Sequence, residues 1–159
     1  MVLAVAGLST AAMTPRVLPI GTSDLIGVWH AAPVKSSGWN DAFVFFEDGL
    51  YAFQRSQMAC DARDLAQKGT WSLSNDTLKL TALYQVKLVG GFPVKASSSC
   101  TTEFMIEGGE IVTDTLQKPA VTLMMLRSFR FSAQAQKPQV MIGGRPFWKF
   151  SNDPAEYYR

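Results

Sequence analysis

Two cysteines, one histidine and thirteen carboxylates are what this 159-residue chain offers to chemistry. His30 is the single candidate general base. That role needs a partner to orient the imidazole and a nucleophile within reach. No nucleophile elbow, second histidine or activated cysteine accompanies it. It directly follows Trp29, so in an extended strand the two side chains take opposite faces, His30 on the outer one. Glu47 and Asp48 belong to a turn, and Asp61 and Asp64 flank the cysteine loop. Calcium asks for roughly six to eight oxygens, more than such a pair supplies. Cys60 and Cys100, with one distant histidine, are too few to hold zinc. No glycine-rich phosphate loop opens a helix. The chain therefore reads as non-enzymatic, with no cofactor and no metal site.

The cysteines suit a different task. Both sit among polar or small residues (Met-Ala-Cys-Asp-Ala-Arg and Ser-Ser-Ser-Cys-Thr-Thr), as loop or strand-end positions do. A Cys60–Cys100 disulfide is the first expectation and two free thiols the alternative.

The elements that must carry these residues are short strands between turn signals. Residues 25–30 form the first, entered through Asp24 as a cap on one helical turn. Residues 42–47 and 50–55 flank Asp48-Gly49, a strong hairpin signal between aromatic-rich runs. Residues 68–73 and 77–86 follow, joined by Ser74-Asn75-Asp76. In the second run Leu78, Leu80, Ala82 and Tyr84 alternate with Lys79, Thr81 and Leu83, the period of a strand with one face in a core. Residues 100–107 and 110–115 flank Gly108-Gly109, read as a second hairpin. Residues 120–127, 129–133, 139–142 and 146–150 complete the set, the last two around Gly143-Gly144-Arg145. Leu65, Ala66 and Lys68 suggest at most one helical turn. Strands at such spacing predict an all-β fold: a single antiparallel meander β-barrel of eight to ten strands, whose closure removes exposed edges.

Composition narrows the class. At 17.5 kDa, with 47% hydrophobic and 18% charged residues, the chain is one globular domain rather than a disordered one. No apolar run reaches the roughly 20 residues of a transmembrane helix. A net charge of +2 gives no reason to expect nucleic acid. The charge is uneven, however: residues 1–115 carry a net −3 and residues 116–159 a net +5. Arg127, Arg130, Arg145 and Lys149 are thus candidates for contact with an anionic surface, arginine being able to grip phosphate or carboxylate with two hydrogen bonds. Arg127 and Arg130 share a face only if Ser128 bends the strand; Arg145 and Lys149 share one side of the last strand. Met1 to Met13 lack charge, and small residues at Ala4 and Ala6, or Ala11 and Ala12, suit a cleavage site. Residues 1–20 are read as an apolar segment, a truncated signal peptide, before a domain at 21–159, and the protein as exported, periplasmic or extracellular.

An ordered set of motifs adds a family resemblance. Gly27-Val28-Trp29 is followed by Phe45-Phe46-Glu47-Asp48-Gly49-Leu50-Tyr51-Ala52-Phe53, then Cys60, then Gly69-Thr70-Trp71-Ser72-Leu73 and Asp76-Thr77-Leu78-Lys79-Leu80. Over residues 24–86 this resembles small bacterial lipocalin-like (calycin-type) exported domains. The resemblance implies that Trp29 plugs one barrel end, its indole N–H finding an acceptor. It also implies a late-strand arginine stacked over Trp29, for which Arg127 and Arg130 are the candidates. The implied function is a binding module holding a small apolar or amphipathic ligand or lipid, with Phe43, Phe45, Tyr51, Phe53, Trp71, Tyr84 and Met124 as barrel-lining candidates. The alternative is a structural or interaction domain of the cell envelope, its barrel filled by those same rings. Residues 123–126 (Leu-Met-Met-Leu) are apolar on both faces and need an outer cover, for which the chain terminus at 147–158 or the N-terminal segment is the expectation.

Overall fold

The computed structural model describes residues 19–34 and 38–158. Of the apolar segment read at residues 1–20, residues 1–18 lie outside the described residues. A one-turn helix α1 (Thr22–Leu25) leads into eight strands: β1 (Gly27–His30), β2 (Ala42–Phe45), β3 (Leu50–Gln54), β4 (Asp64–Ser74), β5 (Thr77–Lys95), β6 (Phe104–Ser132), β7 (Lys137–Ile142) and β8 (Arg145–Ser151). Each pairs antiparallel with the next, and β8 pairs with β1. The meander closes into a barrel. A 3-10 helix (Pro154–Tyr158) follows. No helix among the described residues is long and apolar enough to cross a membrane.

Strand alternation divides the apolar residues between two cores. Trp29, Phe43, Phe45, Tyr51, Trp71, Leu78, Leu80, Leu126, Val140, Ile142 and Phe147 fill the interior. Val28, Val44 and Ala52 face outward on β1–β3 and are covered by Phe46, Phe150 and Tyr157. His30 does point outward, yet it is buried: Phe150 stacks on its ring at 4.4 Å and Tyr157 meets it edge-on. The terminus therefore covers β1–β3 and not residues 123–126. On β6 Val121, Leu123 and Met125 stand exposed, Leu123 at 66%.

Both Gly-x-Trp copies work by close approach. A Cβ at Gly27 would overlap the Ser151 carbonyl, and one at Gly69 the Thr81 carbonyl. Each glycine stands next to a register shift, where the ladder bends around the barrel. The tryptophans that follow bury their rings and keep their N–H bonds satisfied: Trp29 Nε1 donates to the Leu25 carbonyl at 2.7 Å, Trp71 Nε1 to the Phe46 carbonyl at 3.1 Å. With Leu25 and α1, Trp29 closes one end of the barrel.

Gly108-Gly109 is no hairpin turn but a bend inside β6, facing Gly90-Gly91 on β5, with Gly90 opposite Gly109. The separate strands expected between 100 and 133 are consequently one long strand, which is why the barrel has eight. The true β5–β6 turn lies at residues 96–103. Beyond Ala82 and Ala120 this hairpin extends as an arm: β5 stays paired with β4 as far as Lys87, and past that point β5 and β6 continue as two strands that fold back at their facing glycines. Its tip docks on the β3–β4 loop, where Thr101 N donates to the Met58 carbonyl and Ile106 N to the Cys60 carbonyl. The Cys60–Cys100 disulfide fastens that contact. Tyr84, expected in the barrel lining, sits on the arm and is 49% exposed, because the register shift between Ala82 and Tyr84 takes it out of the interior row. Residues 65–68 belong to β4 and not to a helical turn.

Candidate functional site

The two ends of the barrel differ. One is capped by Ile20, Leu25 and Trp29, with an open hollow beside the cap at Pro19, Ile20, Asp76, Leu126 and Val140. The other opens into a cavity of about 250 Å³ lined by Phe43, Phe53, Leu80, Met124, Ile142 and Phe147, with Gln67, Thr122, Arg55 and Arg145 at its polar positions. Alternation explains the lining: Phe43 and Phe53 are cross-strand partners and point inward together, as do Leu80 and Thr122. The Phe43 ring lies 4.8 Å from Phe53 and 5.2 Å from Phe147, so one wall is aromatic. Phe45, Tyr51 and Trp71 fill the barrel interior and stay out of the cavity lining.

At the rim a charge cluster joins three distant segments. Asp41, only 4% exposed, accepts at one oxygen from Arg55 Nη1 at 2.9 Å and from Arg145 Nη1 at 2.6 Å. Its other oxygen accepts from the Ser56 N–H at 2.8 Å. Burial alone would push the Asp41 carboxyl up; the Ser56 N–H and the two guanidinium groups outweigh it and hold the carboxyl below its ordinary range. Asp41 is thus ionised at neutral pH, and the three side chains together carry one positive charge. Arg55 lies over the Phe53 ring at 5.1 Å and Arg145 over Phe147 at 5.9 Å. The guanidinium groups therefore border the aromatic wall of the cavity.

The expected residues are distributed as follows. Phe43, Phe53 and Met124 line the cavity. Phe45, Tyr51 and Trp71 are interior packing, and Tyr84 is neither. The four basic candidates do not share a surface. Arg145 and Lys149 do project to one side of β8, but that side is the barrel interior, with Arg145 at the mouth and Lys149 at the closed end. Ser128 has φ +54° and the register shifts beside it, so Arg127 and Arg130 both face outward, paired with Met141 and Gln139. The cation over Trp29 is Lys149, with Nζ 5.5 Å from the ring centroid and donating to the Asp24 carbonyl at 2.8 Å. Neither Arg127 nor Arg130 can serve there, because β8 and not β6 is the strand beside Trp29. Asp41, Arg55, Gln67, Leu80, Thr122, Ile142 and Phe147 are site residues the sequence did not single out.

Among the described residues no cluster of three histidine, cysteine or acidic side chains is placed to hold a metal ion. No protein-family model, curated protein or solved structure matches the chain.

Proposed function

We propose that this protein is a lipocalin-like binding module that holds a small apolar or amphipathic molecule in the mouth of its barrel and performs no chemistry on it. The observation that carries the reading is the half-filled interior: packed rings below, and above them an open apolar cavity with a few polar groups at its rim. That is the usual composition of a small-molecule site. Its volume falls below the roughly 300–1,000 Å³ of drug-sized pockets, so the occupant is small. The lipocalin likeness is supported by the closed meander, by Gly27-Val28-Trp29 at the closed end and by the cation over Trp29. The disulfide supports export to an oxidising compartment, in keeping with the signal-like composition of residues 1–13.

One observation favours the other reading, an envelope interaction domain. Val121, Leu123 and Met125 form an exposed apolar row on β6 that nothing among the described residues covers. Native mass spectrometry of freshly purified protein, with thermal shifts against a panel of fatty acids, alcohols and sterols, separates the two. A co-purified small molecule or a saturable shift is expected. Absence of both assigns the protein to the interaction class.

A further inference from the structure

We propose that the Arg55–Asp41–Arg145 cluster is the anion-binding part of the cavity, and that the ligand is a medium-chain alkanoate: its carboxylate on the two guanidinium groups, its chain among the cavity's apolar side chains. This rests on the binding reading above and names its ligand class.

The charge balance is the first support. Two guanidinium groups converge on a single oxygen of Asp41, so like charges are held close with one counter-charge between them. A second carboxylate would bring the cluster to neutrality. A phosphate monoester, at about −1.5 to −2 near neutral pH, would overshoot it. The second support is donor capacity. An arginine has five N–H donors, and Arg145, about half exposed, uses one of them on Asp41. Among the described residues it donates to no other acceptor. The guanidinium fork matches a carboxylate with two parallel hydrogen bonds.

Position is the third. The rings under the two guanidinium groups, Phe53 and Phe147, are themselves cavity walls. An anion held at the rim therefore has apolar surface directly beneath it, which suits a molecule with a carboxylate at one end and hydrocarbon at the other. The small volume suits one short chain better than a fused-ring body. Ser56 and Asp41 fix the cluster from behind: the Ser56 N–H holds Asp41, and its hydroxyl donates to the Trp39 carbonyl at 2.6 Å. The site is in place before any ligand arrives.

The test is calorimetric titration of octanoate, 1-octanol and octyl phosphate into the wild-type protein and Arg145→Gln. Octanoate is expected to bind best. Arg145→Gln should weaken octanoate by about ten- to a hundredfold, the worth of a charge-assisted hydrogen bond, and leave 1-octanol unchanged. Arg145 is exposed enough that folding survives the change, and an unaltered circular dichroism spectrum checks this. Equal binding of octanoate and 1-octanol, or tighter binding of octyl phosphate, would overturn the assignment while leaving the cavity a binding site. An equal loss of acid and alcohol in the variant would overturn it too. No binding of any of the three would overturn both this inference and the function it rests on.

Discussion

Tyr51 offers a direct way to test the packed half of the barrel. Its ring is buried in the interior core, 2% exposed, and its hydroxyl has no hydrogen-bond partner among the described residues. An unsatisfied buried polar group costs about 1–3 kcal/mol. Tyr51→Phe removes the hydroxyl and keeps the ring, so at pH 8 the variant should be more stable than the wild type by about 1 kcal/mol. Alkali should widen the difference. Burial pushes the Tyr51 phenol up to about 12 from an ordinary 10. The fold favours the neutral phenol, so its contribution is complete below pH 10 and is lost as pH rises from 10 to 12. Two pH units correspond to about 3 kcal/mol at full titration. Urea unfolding of both proteins at half-unit steps from pH 8 to 11.5 reads this as diverging midpoints. Both cysteines are in the disulfide, so no free thiol is present to start disulfide exchange at high pH. A variant less stable at pH 8, or midpoints that stay parallel to pH 11.5, would refute the placement of that hydroxyl in a dry core.

Three further outcomes follow from the geometry. Asp41→Asn should destabilise the protein at pH 7 by about 1–3 kcal/mol, the cost being moderated by water around the two arginines. Because the folded carboxyl sits below its ordinary range, its contribution is present above about pH 4 and fades as pH falls below it, so urea midpoints of variant and wild type should converge in acid. Gly69→Ala should lower stability by about 1–3 kcal/mol, because its Cβ meets the Thr81 carbonyl; a melting temperature equal to that of the wild type would contradict the close approach. Alkylation without reductant should label no cysteine, and a Cys60→Ser/Cys100→Ser protein should lose up to about 4 kcal/mol for a bridged separation of 40 residues, measured by urea unfolding.

Much of this architecture can be read from local pattern, and the misreadings have local causes. Alternation along 42–54 and 77–82 placed Phe43, Phe45, Tyr51, Phe53, Leu78 and Leu80 on one face, and that face is the interior. A glycine pair between two apolar runs signals a hairpin only when the runs pair with each other. Gly108-Gly109 faces a second pair, Gly90-Gly91, so both strands bend together and continue. No window around residue 108 contains that information. Tyr84 illustrates the same limit: Leu83 is one extra residue against β4, where Gly69 pairs with Ala82 and Lys68 with Tyr84, and it ends the interior row at Ala82.

The site was legible only in part. Its aromatic wall followed from the hairpin around Asp48-Gly49. So, in principle, did half of its charge cluster, since the register that pairs Ala42 with Gln54 sets Asp41 beside Arg55. Arg145 reaches Asp41 across 104 residues, through barrel closure, and no sequence pattern marks that meeting. The family resemblance implies a late-strand arginine over the plug tryptophan, but barrel order puts Lys149 on the strand next to Trp29.

The central claim is that the mouth of the barrel, and not its outer surface, receives the ligand. Methyl NMR spectra recorded during titration with octanoate and 1-octanol test it directly. Saturable shifts of Leu80, Met124 and Ile142, which line the cavity, are expected, with Leu25 in the packed interior unmoved. Shifts confined to Val121, Leu123 and Met125 on the outer face of β6, or no shift at any of these methyls, would contradict it.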